Sequence, residues 1–138
     1  MAISSREKLK DDVFLGIAWR VGTLSTCNRA EVGAVITHEG RAVSWGFNGA
    51  PPGMPHCEHT DDEPCERAIH AELNAVCFAA REGISTANGT LYVTISPCLK
   101  CAQTLLAAGI VRVCYDELYR DSAGLDLLDN AGVEIVRP

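Results

Sequence analysis

The stretch HCEHTDDEPCERAIHAE, residues 56–72, carries three histidines and two cysteines in seventeen residues. Downstream, PCLKC at residues 97–101 adds two cysteines spaced i and i+3. Imidazole and thiolate are the donors zinc prefers. Two cysteines at that spacing near a helix start share a face and reach one ion. The helix dipole and the free N–H groups there favour the thiolate form. Together with His70, Cys98 and Cys101 make three protein donors, which leave a tetrahedral ion one open position for water. An open position is the mark of a hydrolytic zinc, and hydrolysis needs a proton carrier beside the water. Glu72, two residues past His70, is that carrier; a purely structural zinc has no use for it.

Cys27, Cys57 and Cys65 are left over, with His56 and His59; on the residues alone they read either as donors to a second metal or as free thiols in a loop. Cys77 and Cys114 lie in apolar runs and are expected in the core.

These residues need elements to hold them. Ser4 with Glu7 fits a capping box, and Leu9, Val13, Ile17 and Val21, with Phe14 and Ala18, predict one apolar helix face. VGAVITHEGRAVSWG reads as a β-hairpin turning near Glu39 and Gly40. Residues 47–65 form a Gly- and Pro-containing loop, long enough to be functional or metal-organised. AIHAELNAVCFAAREG is a helix stopped at Gly83. TLYVTIS is a strand. PCLKCAQTLLAAG is a helix with Ser96 as N-cap and Pro97 in its first turn. VRVCY is a strand, 121–130 a helix and VEIVR a last strand. The order α-β-β-α-β-α-β-α-β predicts a three-layer α/β domain.

The 138 residues are expected to form one domain, 1–138, with a core that needs no staples. The net charge of −6 disfavours nucleic-acid polymers and anionic membranes as partners, although a locally basic pocket still admits a small anion. The charged start MAISSREKLKDD has no apolar core segment, and no apolar run is long enough to span a bilayer. A cytoplasmic location follows as the expectation, so the seven cysteines point to metal or core roles before disulfides.

His-x-Glu followed by Pro-Cys-x-x-Cys is a known zinc-deaminase signature. HAELNA, LYVTISPCLKC and AAGI resemble the cytidine/deoxycytidylate deaminase superfamily. STCNRAEVGAVI, GFNGAPPG and IHAELNA resemble more closely its deoxycytidylate (dCMP) deaminases of phages and bacteria. The resemblance runs from about Ile17 to Val136. It implies an α/β/α sandwich with a five-stranded mixed sheet. The implied reaction is hydrolysis of dCMP to dUMP and ammonia, supplying thymidylate synthesis. A zinc-activated water would attack C4, with Glu72 shuttling protons to N3 and to the leaving amino group.

The same resemblance implies that the Ala71 backbone N–H and the Ser96 carbonyl contact the base, Asn48 the sugar, and Tyr119 the phosphate. Arg29 and Arg81 are candidate phosphate partners. Each has a simpler reading: a turn residue for Asn48, a helix-end charge for Arg81, a packing residue for Tyr119. A second, structural zinc is implied as well, with Cys27, Cys57, Cys65 and His59 as its candidates and His56 as the alternative to His59. A homohexamer regulated by dCTP and dTTP is also implied, and GFNG resembles the regulatory motif as well. Deamination of another cytosine- or pterin-like compound is the alternative among enzymes. A zinc-stabilised scaffold without turnover is the alternative outside them, and Glu72 speaks against it.

Overall fold

The computed structural model describes residues 3–27, 30–56 and 67–138. The sheet grows from a hairpin. Strand β1 (Gly33–His38) pairs antiparallel with β2 (Arg41–Phe47) through a turn in which Glu39 and Gly40 both have positive φ, 51° and 77°. That pair of left-handed residues matches the right-handed twist of the flanking strands. β1 pairs antiparallel with β3 (Thr90–Ile95) on its other side. β4 (Arg112–Glu117) and β5 (Glu134–Val136) then add in parallel, giving the order β2-β1-β3-β4-β5. The sheet is five-stranded and mixed, as expected.

Side chains alternate across it. Val35, Tyr92, Cys114 and Val136 face helix α1 (Ser5–Gly22). Ala34, Ile36, Leu91, Val93, Val113 and Tyr115 belong to the other core. That core is closed by α2 (Ala71–Arg81), α3 (Leu99–Ala107) and α4 (Ala123–Asn130). Three layers, α/β/α, result. Among the described residues no helix is long and apolar enough to cross a membrane.

Helix α1 starts at the expected capping box. The Ser4 hydroxyl accepts from the Glu7 N–H at 3.2 Å, and the Glu7 carboxylate accepts from the Ser4 N–H at 3.0 Å. Its inward face is only partly the expected one: Ala18 and Phe14 face the sheet, and the larger residues named with them do not. Leu9, Val13 and Ile17 are 54%, 50% and 38% exposed, and the buried line is Asp11, Leu15, Ala18 and Gly22. Two forces choose that line. A Cβ on Gly33 would lie 1.8 Å from the Ala18 carbonyl oxygen, so α1 meets β1 at their smallest residues. Asp11 is drawn inward by Arg112, which donates two hydrogen bonds of 2.8 Å, and by the Tyr92 hydroxyl at 2.9 Å. Close backbone approach and a buried ion pair outweigh the larger side chains.

Three helix starts also move. α2 begins at Ala71, not at Ala68, because Ile69 is extended and exchanges two hydrogen bonds with Gly49, at 2.8 and 3.2 Å. α3 begins at Leu99 with Cys98 as its N-cap residue, so Ser96 and Pro97 precede the helix. α4 begins at Ala123, two residues late, and Asp121 accepts from the Ala123 N–H in a turn before it. Cys114 is buried as expected, but Cys77 is exposed. Ala71, Ala75 and Ala79 make the i, i+4, i+8 contact of α2 with the sheet and leave Cys77 on the outer side.

Candidate active site

Ligands in open α/β sheets collect outside the carboxyl ends of parallel strands. Here β3 and β4 run parallel, and beside that end lie the starts of α2 and α3. The N-cap residues of those helices are His70 and Cys98, both with extended backbone, at φ/ψ of −66°/152° and −70°/170°. Neither side chain caps its helix, so each is free to point at a common centre. Cys101 joins them from the first turn of α3.

The donor atoms of His70, Cys98 and Cys101 all lie within 4.8 Å of one another. His70 Nδ1 is 3.3 Å from Cys101 Sγ and 3.6 Å from Cys98 Sγ. Zinc bonds of about 2.0–2.1 Å to nitrogen and about 2.3 Å to sulfur at tetrahedral angles require N···S separations of about 3.6 Å. The donor set therefore fits zinc by both chemistry and spacing. Electrostatics agrees. Burial, and then the charges of Glu72 and Cys98, push the Cys101 thiol well above its ordinary range. A cation between these anions removes the repulsion that keeps the thiol protonated. Among the described residues this is the one such cluster of three donors.

Glu72 is 4% exposed in the first turn of α2. Burial pushes its carboxyl up, with partial opposition from its own backbone N–H, His70 and Cys101. A buried carboxyl beside a metal site is a candidate proton carrier. Two glycines let neighbouring elements press on these corners. A Cβ on Gly46 of β2 would lie 2.6 Å from the Ala71 carbonyl oxygen, and one on Gly124 of α4 would lie 2.1 Å from that of Pro97.

A cavity of about 420 Å³ opens onto the cluster. His70, Ala71, Glu72 and Cys98 line it, as do Asn48, Ser96 and Tyr119. Seven of the residues singled out in the sequence thus meet in one place. Asn48 also has a bracing role: its amide oxygen accepts from the Val32 N–H at 2.8 Å, and its Nδ2 donates to the Ala30 carbonyl at 2.7 Å. Both partners line the same cavity.

Arg81 does not join this group. It lies at the far end of α2, over the Phe78 ring at 5.2 Å and beside Glu82, and lines a separate cavity of about 640 Å³. Of the second donor set, Cys27 is partly buried, and its N–H donates to the Ser25 hydroxyl at 3.2 Å. His56 is exposed, and its carbonyl accepts from Arg67. Cys57, His59 and Cys65, with Arg29, lie outside the described residues. Four lining residues were not singled out in the sequence, Ala30, Val32, Ile95 and Arg120, and of these Arg120 carries a charge. Its signal was its place directly after Tyr119, on a side chain long enough to reach the same cavity.

The family of the cytidine and deoxycytidylate deaminase zinc-binding region matches residues 8–117. The deoxycytidylate deaminase of Enterobacteria phage T2 is 33% identical over 171 aligned positions, which cover 92% of this chain and 91% of that protein. ComE operon protein 2 of Bacillus subtilis is 37% identical over 116 positions, covering 80% of this chain and 61% of that protein. The crystal structure of dCMP deaminase from the cyanophage S-TIM5, in complex with dCMP and dUMP, superposes with a TM-score of 0.89 at 30% identity. That match covers 99% of this chain and all of the other. Sequence and fold agree along nearly the whole length, and this chain belongs to the cytidine and deoxycytidylate deaminase zinc-binding family.

Proposed function

We propose that the protein hydrolyses dCMP to dUMP and ammonia. The observation that carries this reading is the three-donor cluster of His70, Cys98 and Cys101 with Glu72 buried against it in an open cavity. The similarity to a structure that binds dCMP and dUMP supports the choice of base and sugar. Zinc, when bound, supplies a polarised water at neutral pH. Glu72 accepts a proton from that water and delivers it to N3 of the cytosine. The water oxygen bonds to C4. Glu72 would then take the remaining proton from the C4 hydroxyl and pass it to the amino nitrogen, so that the C4–N4 bond breaks, ammonia leaves and a C4 carbonyl remains. The Ala71 N–H and the Ser96 carbonyl orient the base. Asn48 contacts the sugar and holds the 30–32 segment in place, and Tyr119 stands towards the phosphate. The dUMP formed is consumed in thymidylate synthesis in the cytoplasm.

Ammonia release measured across dCMP, CMP, deoxycytidine and cytosine tests the substrate. dCMP is expected to be turned over with the highest kcat/KM, and deoxycytidine outrunning dCMP would overturn the reading. A homohexamer with dCTP as activator and dTTP as inhibitor belongs to the same proposal.

A second, structural zinc held by Cys27, Cys57, His59 and Cys65 accounts for the concentration of thiols around a long loop. Structural zinc stabilises such segments outright. Metal analysis of the purified protein is expected to give two zinc ions per chain. A value of one would return those cysteines to the role of free thiols.

A further inference from the structure

Where β2 ends, the backbone is held from three sides. The Phe47 carbonyl accepts from the Asn74 side-chain amide at 2.8 Å. The Asn48 carbonyl accepts from the Ser25 hydroxyl at 2.7 Å. The Gly49 carbonyl accepts from the Ile69 N–H at 2.8 Å. Three successive carbonyls thus find partners on three segments, as backbone leaving a sheet must if it is not to stay unpaired away from water. Ser25 follows α1, and Ile69 stands directly before His70. Asn74 differs from both, because it acts from within the helix that carries Glu72.

The Asn74 N–H donates to the His70 carbonyl at 2.9 Å, one turn back. His70, Glu72 and Asn74 therefore share one rigid helix start. One side of that start faces the zinc corner, and the Asn74 amide grips the residue before Asn48. Asn74 lines the separate cavity of about 640 Å³, whereas Asn48 lines the one of about 420 Å³ that opens onto the zinc corner. Its route to the reaction runs through the Phe47 carbonyl. Beside that bond β2 and α2 are in backbone contact: a Cβ on Gly46 would lie 2.6 Å from the Ala71 carbonyl oxygen and 3.0 Å from the Asn74 Cβ. Such close packing leaves the bond little slack.

Asn48 keeps one N–H and one lone pair for a ligand. Its amide oxygen already accepts from Val32, and its Nδ2 already donates to the Ala30 carbonyl. Those two bonds fix the amide plane, so the remaining pair points in set directions. A donor beside an acceptor suits a hydroxyl, and the sugar of a 2′-deoxynucleoside 5′-monophosphate has one, at its 3′ carbon.

We propose that Asn74 is a positioning residue for the reaction: by holding the Phe47 carbonyl to the helix start that carries Glu72, it sets the distance between the zinc corner and the Asn48 amide. The inference rests on the proposed nucleotide substrate and deepens it. Attack at C4 needs base and sugar seated together, and a small shift of Asn48 against the zinc corner turns the base off the line of attack. A side chain that merely docked α2 on the sheet would affect every substrate alike.

The test compares kcat and KM for dCMP and for 2′,3′-dideoxy-CMP, which lacks the 3′ hydroxyl, in the parent protein, Asn74→Ala, Asn74→Asp and Ser44→Ala. Zinc content and denaturation midpoint are followed in each. Ser44 is the control: its buried hydroxyl donates to the Ala75 carbonyl at 2.7 Å, so it also joins β2 to α2, but away from residues 47–49. The parent is expected to prefer dCMP. Asn74→Ala is expected to lower the dCMP-to-dideoxy-CMP ratio of kcat/KM by about three- to tenfold with zinc retained, the scale of one neutral hydrogen bond. Asn74→Asp keeps the shape but sets a carboxylate oxygen against the Phe47 carbonyl, and is expected to lower the ratio at least as far. Ser44→Ala is expected to lower the midpoint and leave the ratio unchanged.

An unchanged ratio in both Asn74 variants, or a fall of the same size in Ser44→Ala, would overturn the positioning role. Loss of zinc or of the fold in both Asn74 variants would overturn it too, since the bond would then hold the structure itself. The parent protein separates the two levels: no turnover of dCMP defeats the substrate reading, whereas dCMP turnover with a ratio insensitive to Asn74 defeats only this inference.

Discussion

Glu72→Gln is expected to lose turnover by about a hundred- to ten-thousandfold, the usual range for removing a positioned general acid–base, while zinc and fold are retained. The glutamine has nearly the same shape, sits in the same first turn of α2, and leaves His70, Cys98 and Cys101 untouched. It can donate and accept hydrogen bonds but cannot take a proton from water and return it to nitrogen. The metal-free protein should be no less stable for the change, because burial already disfavours the Glu72 carboxylate. Ammonia release, zinc content and thermal denaturation together check this. Substantial activity in a zinc-loaded Glu72→Gln protein would remove the proton-shuttle role. Lost zinc would show instead that the carboxylate holds the site together.

Asp11→Ala is expected to cost about 3–5 kcal/mol of stability, the range for removing one partner of a buried ion pair. Asp11 is 2% exposed, and the change leaves the Arg112 guanidinium and the Tyr92 hydroxyl without their shared acceptor. Arg112 would keep Glu134, at 3.1 Å, and a long bond of 3.5 Å to the Tyr92 hydroxyl. That carboxylate is 59% exposed and replaces little of the loss. The Asp11 side chain is a buried polar tie between α1 and both β3 and β4, so chemical denaturation should report the loss directly. A change below about 1 kcal/mol, the range of an exposed pair, would contradict it.

The same network gives a pH dependence with a definite sign. Burial works to raise the Asp11 carboxyl, but hydrogen bonds from Arg112 and Tyr92, with the Arg112 charge, outweigh it and hold the carboxyl below its ordinary value. The folded state therefore binds the proton less readily than the unfolded chain. The stability it contributes is fully present above the unfolded value of about 3.9, and it is lost as the pH falls through the lowered folded value. Asp11→Ala should flatten the acid limb of the stability curve in that window and leave the neutral region parallel to the parent.

Much of the site was legible in the sequence because its donors are local in the chain. His70 and Glu72 are two residues apart, and Cys98 and Cys101 are three apart, so one helix start orders each pair. The alternation of strand residues and the turn at Glu39–Gly40 were legible for the same reason: each depends on neighbours a few positions away. The face of α1 was not. Leu9, Val13 and Ile17 carry the strongest apolar pattern, yet the contact was set by Gly33 and Arg112, 15 and 101 positions from the residues they meet. Cys77 failed likewise, since three alanines on the other side of α2 had already made its contact with the sheet.

By itself, then, the sequence determined the donor set: three donors of the kind zinc takes, with a carboxylate two residues from one of them. Those follow from residue type and short spacing, which helix geometry converts directly into position. Tertiary structure alone decided how two helix starts far apart in the chain came to face each other across the ends of β3 and β4. It also decided which cation stands at the mouth. The sequence named Arg81 and not Arg120, but the length of α2 carries Arg81 to another cavity, while the Ser96 hydroxyl accepts from the Tyr119 N–H beside Arg120. That hydrogen bond joins residues 23 positions apart, and no local rule reaches across such a separation.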